Sequence, residues 1–281
     1  MLRLLILSSS IGALISLAPK TAHAKLTLDQ LESRYVEAIA KSMHYEVTLE
    51  DVLGEGVGGW DADPRHPKDT VNCMIWLQLV LAEIYGANPA EKALVLDKIR
   101  YYFGRPAFSL RKHYIDHWLS VEPEPLRKVN LNKCGFPYYQ HVTLDIDAFL
   151  KHRKFSCPLY EMDENKFELQ YVNAEGVLRC QKTLPRGHYI LFAVPSEQYA
   201  QLYLRETGPM GLVHAMILRI STNQEPLIYH ASTSAKKVLE EPLPVFLERM
   251  KNLHRGYVFY QLDPDWNFGK QASLDLEARK L

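Results

Sequence analysis

The order of the predicted elements restricts the fold of this chain more than any other feature of its sequence. Helical signals come first, from a capping box at Thr27 and Gln30 to a helix that Asn88 and Pro89 open and that runs to about Phe103. The second half predicts strands, mostly joined by short turns, and two covering helices: strands Phe167 to Asn173, Val177 to Thr183, Tyr189 to Val194, His214 to Ile220, Leu227 to Ser232 and Tyr257 to Leu262; helices Glu197 to Arg205 and Pro244 to Leu253. This order indicates an α+β fold with a mainly antiparallel sheet.

Charge and composition exclude several classes of protein. The 281 residues carry 33 basic and 33 acidic side chains, and 47% of them are hydrophobic. This composition is typical of globular proteins, and without a basic patch we expect no nucleic-acid partner. No linker rich in proline, glycine or serine divides residues 25–281. We therefore expect a single domain, and we expect it to be a monomer.

Residues 1–24 have the pattern of a cleavable secretory signal. Arg3 is followed by an apolar run from Leu4 to Ala18 and then by the small-residue triplet Ala22-His23-Ala24. The apolar run is shorter than the roughly 20 residues that a membrane-spanning helix needs, and no later stretch is long and apolar enough. We expect a secreted or periplasmic protein without a transmembrane segment.

Cys73 is the candidate nucleophile. A loop over residues 53–72, rich in glycine, aspartate and proline, leads into it, and the apolar run from Met74 to Ile84 predicts a buried helix that ends at Gly86. A thiol at a helix start faces unpaired backbone amides and the positive end of the helix dipole. Both lower the pKa of a thiol, so this position favours a reactive cysteine.

The other cysteines predict one disulfide in an oxidising compartment. Cys134, Cys157 and Cys180 allow three pairings, and Cys73 is left as the free thiol. We expect the bridge between Cys157 and Cys180, because these two flank the predicted hairpin of residues 167–183. Their separation fits no short-spaced zinc pattern, and we expect no metal or other cofactor.

A thiol nucleophile needs a base, and His214 and His230 are the candidates. They lie on two strands that predict a hairpin, with Pro226 at the first position of the second strand. A five-residue loop pairs Met216 with His230 and Ser232 with His214, so that both histidines lie on one face of the sheet as diagonal neighbours. One histidine can then orient the other.

These features together resemble the NlpC/P60 superfamily of cysteine peptidoglycan hydrolases, and most of all its DUF1460 branch of N-acetylmuramoyl-L-alanine amidase-like proteins. The segment from Arg111 to Leu119 adds to the likeness, because the branch has Arg-x-His-Tyr followed by Trp at this place. The resemblance runs from about Leu26 to Leu262. It implies a papain-like fold in which the Cys-bearing helix packs on the mainly antiparallel sheet.

The resemblance also implies a reaction and a substrate. Cys73 would attack an amide carbonyl, His214 would move the proton, and His230 would hold the His214 ring. The substrate would be peptidoglycan or a muropeptide, cut between the lactyl group and L-alanine. Candidate substrate-binding residues are Trp60, Arg111, His113, Tyr114 and Ser232.

The sequence departs from the family pattern before the nucleophile. Asn72 stands where the family has Asp, and the family's Leu-Gly-x-Pro-Tyr stretch is replaced by the residues from Leu53 to Trp60. Either Trp60 or Tyr45 would therefore supply the side chain that stabilises the oxyanion, and the Cys73 amide would be the other donor.

Three alternatives remain at this stage. The enzyme would instead cut the γ-D-glutamyl to diamino acid bond, as other NlpC/P60 members do. It would be a catalytically silent wall-binding or partner-binding protein on the same scaffold. Finally, His113 and His117, four residues apart on a predicted helical face, would bind zinc in a metallohydrolase, although Asp116 stands where the usual motif has Glu.

Overall fold

The computed structural model describes residues 26–49, 53–54, 63–64, 69–113, 115–120, 125–143, 166–201 and 211–266. Its helices are α1 Leu28–Ser42, α2 Cys73–Tyr85, α3 Pro89–Arg100, α4 Ile115–Ser120, α5 Ala174–Thr183 and α6 Leu243–Met250. Its strands are β1 Glu46–Val47, β2 Thr70–Val71, β3 Leu126–Lys128, β4 Tyr138–Thr143, β5 Lys166–Tyr171, β6 Gly187–Pro195, β7 His214–Ile220, β8 Leu227–Ser232, β9 Lys237–Pro242 and β10 His254–Leu262.

The main sheet runs in the order β2-β1-β9-β8-β7-β6-β10-β3, and β4 and β5 form a separate hairpin. The pairs within the main sheet are antiparallel except β1 with β2. The predicted α+β class with a mainly antiparallel sheet is therefore confirmed. None of the described helices is both long and apolar enough to span a membrane.

The N-terminal helices form where the sequence predicts them, because their caps and apolar faces are local signals. Thr27 and Gln30 make the reciprocal bonds of a capping box at α1. Asn88 caps α3, which ends at Arg100, three residues before the predicted end near Phe103. Tyr101 has an extended backbone and ends the helix, and a turn at Tyr102–Gly104 with a positive φ at Phe103 follows.

Two hydrophobic cores lie on opposite faces of the sheet. Alternate residues of a strand point to opposite faces, and on β7 Ala215 and Ile217 join the core beneath α1, α2 and α3, whereas Met216 and Leu218 join the core beneath α5 and α6. We call these the thiol face and the histidine face after the site residues described below. The sheet is thus the middle layer of three.

One predicted strand is wrong. Val177 to Thr183 is the C-terminal part of helix α5, which starts where the Asn173 side chain accepts a hydrogen bond from the Gly176 amide at 2.9 Å. Val177 and Cys180, three residues apart, turn toward the histidine-face core. This spacing is helical, and the Asn173 cap was the local signal for it.

The predicted disulfide is also wrong. Cys180 bonds Cys134, 46 residues earlier in the chain, and joins α5 to the short turn Leu131–Cys134 on the histidine face. With residues 174–183 in a helix, the hairpin that favoured Cys157 does not exist; Cys157 itself lies outside the described residues. The prediction of a free thiol at Cys73 is confirmed.

Candidate active site

Cys73 is the first residue of α2, and the local sequence puts it there. The Asn72 side chain accepts a hydrogen bond from the Ile75 amide at 2.9 Å, which caps the helix. Asn72 therefore does the capping that an Asp would do at this position, without adding a negative charge beside the thiol. Cys73 is partly exposed and packs against the thiol-face core.

The Cys73 thiol lies against β7, where its sulfur contacts the backbone amide of Ala215. Burial raises the pKa of the thiol, and the amides of Ala215, Met74 and Cys73 lower it only in part. The amides at the helix start lower the thiol pKa, as predicted. Desolvation raises this pKa by more, so the prediction of a lowered thiol pKa is wrong. The resting group is a thiol.

His214 and His230 form a hydrogen-bonded pair. His214 Nε2 lies 3.0 Å from His230 Nδ1, and the two rings meet edge to face with centroids 5.1 Å apart. Met216 pairs with His230 across the hairpin as predicted, so the two histidines share one face of the sheet. Burial holds the pKa of His214 well below its ordinary value, with smaller contributions from His230, His254 and Arg249.

The thiol and the histidine pair lie at neighbouring residues of β7 but on opposite faces of the sheet. Cys73 reaches the strand on the thiol face, whereas the His214 and His230 rings lie with Phe246 and His254 on the histidine face. His214 is the residue before Ala215, whose amide the sulfur contacts. Within the part of the chain that the structure describes, no hydrogen bond links Cys73 Sγ to His214.

Two residues that the sequence reasoning missed extend the histidine pair. His230 Nε2 lies 2.7 Å from Glu241 Oε1, and Arg249 bonds both carboxylate oxygens of Glu241. Because His230 pairs with Leu239 on β9, Glu241 lies two residues further along the same face. The alternation of β9 was the available signal, but β9 itself was not predicted.

His254 is a third buried histidine near the pair. Its ring lies 6.1 Å from that of His214, and its Nδ1 is 3.3 Å from the Tyr257 hydroxyl. Burial lowers the pKa of His254 to about 3, so it is neutral at physiological pH. It adds no charge beside the His214 ring.

Asp116 anchors the segment that leads into β7. Its Oδ2 accepts hydrogen bonds from the amides of Gly211 at 2.8 Å and Leu212 at 3.2 Å, while its buried Oδ1 has no hydrogen-bond partner among the described residues. A Cβ at Gly211 would lie 3.0 Å from that Oδ1, a tight contact that favours glycine at this position. Burial raises the pKa of Asp116 to about 7. Asp116 thereby fixes the backbone three residues before His214.

The structure describes Arg111, His113 and Ser232 among the predicted substrate-binding residues. Arg111 is buried, with its guanidinium carbon 5.3 Å from the centre of the Phe108 ring. Ser232 is the buried last residue of β8, and its hydroxyl bonds Ser234 and the Ala235 amide in the turn that follows. The β7 to β8 register ends before it reaches His214. Trp60 and Tyr114 lie outside the described residues. No described contact joins the Tyr45 hydroxyl to the Cys73 thiol.

The His113 and His117 pair does not have the geometry predicted for a zinc motif. Helix α4 starts at Ile115, so His113 precedes it and the two residues do not share one helical face. The His113 amide donates to His117 Nδ1 at 3.3 Å, which occupies that nitrogen. Among the described residues no group of three or more histidine, cysteine, aspartate or glutamate side chains is arranged to hold a metal ion.

The sequence of the chain matches a family model described as AmiA-like, N-acetylmuramoyl-L-alanine amidase-like, over residues 51–253. The chain belongs to this family. The match contains Cys73, His214, His230, Glu241 and Arg249. No curated protein is similar enough to match.

Solved structures share the fold of this AmiA-like chain. A Legionella pneumophila protein assigned to DUF1460 is 16% identical, with a TM-score of 0.69 over 83% of this chain and 89% of that one. An N-acetylmuramoyl-L-alanine amidase from Bacteroides uniformis is 19% identical, with a TM-score of 0.57 over 83% of this chain and 99% of that one. At these identities the likeness establishes a common fold, a sheet covered by helices.

Proposed function

We propose that this AmiA-like chain is a cysteine amidase that cuts the amide between the lactyl group and L-alanine in peptidoglycan or muropeptides. The observation that carries the proposal is a free thiol at a helix start that reaches Ala215, the residue after the hydrogen-bonded His214. A helix-borne thiol and an oriented imidazole are the two groups that nucleophilic acyl transfer needs. The order of these elements along the chain also supports a papain-like NlpC/P60 fold.

The first half of the reaction forms a thioester. Cys73 Sγ attacks the lactyl carbonyl carbon while His214 accepts the thiol proton, and the amide nitrogen of Cys73 stabilises the oxyanion. The carbon to nitrogen bond then breaks, and His214 returns its proton to the leaving amine of the L-alanyl peptide. Water hydrolyses the thioester, losing a proton to His214, and restores the thiol.

The resting protonation of the site fits this general-base route. Because burial raises the pKa of Cys73 and lowers that of His214, both groups are neutral at physiological pH. The proton therefore moves during the attack and not before it. His214 is able to accept a proton even in mildly acidic solution.

A second candidate is a catalytically silent wall-binding protein on the same scaffold. The raised thiol pKa favours it, because a buried neutral thiol is a weaker nucleophile than a thiolate. The rate of alkylation of Cys73 separates the two candidates. An active site gives a rate that falls when His214 is protonated, whereas a silent scaffold gives a slow rate that follows only the ionisation of the thiol.

The decisive experiment is digestion of defined muropeptides by the purified protein, with the products identified by mass. Cleavage at L-alanine releases the whole peptide, whereas a γ-D-glutamyl endopeptidase leaves a dipeptide on the sugar. Cys73→Ala is the negative control, and His141→Ala, at an 87% exposed histidine on β4, is the matched control for the histidine variants. Loss of activity with a chelator and its return with zinc would contradict the metal-free mechanism.

We propose in addition that the protein is exported, as the pattern of residues 1–24 suggests. Export would bring the enzyme to its substrate and supply the oxidising compartment for the Cys134 to Cys180 bridge. N-terminal sequencing of the protein from a periplasmic extract should give a start near Lys25. A cytoplasmic chain that begins at Met1 would contradict this.

A further inference from the structure

The chain of contacts on the histidine face continues beyond the two histidines that the proposed reaction uses. Glu241 lies between His230 and the α6 residue Arg249, and its side chain is only 13% exposed. Phe246 packs on the His230 ring, with centroids 5.2 Å apart, so the ring has little room to turn. The position of both His230 nitrogens is thus determined by their neighbours.

The charge of Glu241 decides which His230 nitrogen carries the proton. Burial would raise the pKa of Glu241, but its bonds to Arg249 and His230 more than offset this and hold the pKa below its ordinary value. An ionised carboxylate only accepts hydrogen bonds, so the 2.7 Å contact requires a proton on His230 Nε2. Arg249 Nη2 also lies 3.3 Å from Nε2, but this group bonds the carboxylate much more closely.

The proton on His230 Nε2 in turn determines the state of His214. Burial keeps the pKa of His230 below its ordinary value despite Glu241, so the ring is neutral and carries a single proton. Its Nδ1 then has a free lone pair, and the 3.0 Å contact requires His214 Nε2 to donate to it. The remaining nitrogen, His214 Nδ1, carries no proton and can accept one.

We infer that Glu241, held by Arg249, is a positioning residue that fixes the tautomers of His230 and His214 so that His214 Nδ1 is the basic nitrogen. The effect on catalysis rests on the proposed function, whereas the tautomers themselves do not. Glu241 touches neither the thiol nor the substrate in this account. It acts through His230.

The test compares Glu241→Gln with Glu240→Gln. Glutamine has the shape of glutamate, but its amide can also donate, so His230 is no longer forced to carry its proton on Nε2. Glu240 is the adjacent, exposed residue on the other face of β9 and serves as the matched control. The tautomers are read from two-bond nitrogen to carbon-bound proton NMR correlations in protein labelled with ¹⁵N-histidine, with assignments from single histidine variants.

We expect His214 and His230 to be Nε2-protonated in the wild type and in Glu240→Gln, and to populate the Nδ1-protonated form in Glu241→Gln. We also expect kcat to fall about tenfold to a hundredfold in Glu241→Gln with KM nearly unchanged, since the substrate contacts remain. Arg249→Met, which keeps the carboxylate but removes its anchor, should give a smaller loss.

Three results would overturn the inference. A wild-type His230 protonated on Nδ1 would do so without any variant, even if Glu241→Gln failed to fold. Unchanged tautomers in a folded Glu241→Gln protein would do so as well. A changed tautomer with unchanged kcat would remove the catalytic consequence. If the wild type cuts no muropeptide, the proposed function fails while the tautomer spectrum still tests Glu241.

Discussion

The two faces of the sheet position their site residues differently. On the thiol face, backbone groups position Cys73, whereas on the histidine face hydrogen bonds between side chains position His214. The position of the thiol comes from the start of α2, the Asn72 cap and the Ala215 amide. The position of the imidazole comes from a series of hydrogen bonds that runs through His230 and Glu241. The proposed nucleophile is therefore fixed by local chain geometry and the proposed base by residues distant in sequence.

This difference has a consequence for the chemistry. Backbone amides near a thiol can favour the thiolate, but here burial exceeds their effect and the thiol keeps its proton. The side chains on the other face hold a neutral imidazole. In the proposed mechanism, activation of Cys73 therefore depends on the histidine face, although Cys73 lies on the thiol face.

The largest effect should come from the nucleophile itself. Cys73→Ser should fold normally, because serine fits the partly exposed helix start, but it should lose at least about a thousandfold in turnover, since a hydroxyl is a far weaker nucleophile with this base. Turnover of a defined muropeptide and the circular dichroism of the variant measure the two effects. Hydrolysis at the wild-type rate by Cys73→Ser would end the thiol mechanism.

Removal of the proposed base His214 should lower turnover less than loss of the thiol does. Removal of its partner His230 should lower turnover less again. His214→Ala should lower turnover by about a hundredfold to ten-thousandfold, and His230→Ala by a smaller factor because His230 only orients the ring. The double variant should be little worse than His214→Ala alone, since groups that act as a unit are not additive. Losses whose free energies add in the double variant would show that His230 acts independently of His214.

The pH dependence of the wild type follows from the same pair. His214 must be neutral to accept the thiol proton, and its pKa lies well below the ordinary histidine value of about 6.5. As the pH falls, kcat/KM should therefore hold through pH 6.5 and decline only in more acidic solution. A decline centred at or above pH 6.5 would contradict a buried, neutral base.

The parts of this site that the sequence predicts are those that short segments encode. Asn72, the apolar run of α2 and its stop at Gly86 are local signals, and the hairpin register follows from the loop before Pro226. The pairing of Met216 with His230 could therefore be predicted from this short segment alone. The prediction of a free Cys73 rested on its position at the start of an apolar helix, which set it apart from the other three cysteines.

The parts that the sequence does not predict depend on tertiary contacts or on competing patterns. The segment from Val177 to Thr183 fits a strand by composition, but its Asn173 cap and its burial on one side make it a helix. Glu241 reaches His230 only because β9 pairs beside β8, and Arg249 reaches Glu241 only because α6 folds back over the sheet. The disulfide partner of Cys180 is 46 residues away, and no spacing rule selects it.

A further prediction concerns Asp116, which accepts hydrogen bonds from the backbone just before β7. The unfolded carboxyl ionises near pH 4, but the folded one keeps its proton to about pH 7. This group therefore lowers the stability of the fold as the pH rises through that window, by about 1.4 kcal/mol per pH unit. Asn cannot titrate, so the free energy of unfolding of Asp116→Asn, relative to wild type, should rise by about 2 kcal/mol from pH 5 to pH 7.

Urea unfolding of both proteins at pH 5, 6 and 7 measures this difference. Asp29→Asn, at an exposed carboxylate in the first turn of α1, is the control for the loss of a surface carboxylate. The buried neutral His254 acts in the opposite direction, because the unfolded state takes up its proton near pH 6.5 and the folded state only near pH 3. Because His254 is present in both proteins, its contribution cancels in the difference between their free energies of unfolding. A difference that does not change with pH would show that Asp116 is ionised in the fold at pH 5.

The smallest expected effect concerns Asn72, where the resemblance to NlpC/P60 proteins leads us to expect Asp before the proposed nucleophile. Asn72→Ala removes the acceptor for the Ile75 amide and should lower the free energy of unfolding by about 1 kcal/mol. Asn72→Asp keeps the cap and should keep the stability, but its negative charge lies beside the thiol and should raise the pKa of Cys73 further. Alkylation at pH 8 should therefore be a few times slower in Asn72→Asp than in wild type. Equal alkylation rates would mean that residue 72 acts on the helix alone, and that the departure from Asp has no bearing on how the thiol is activated.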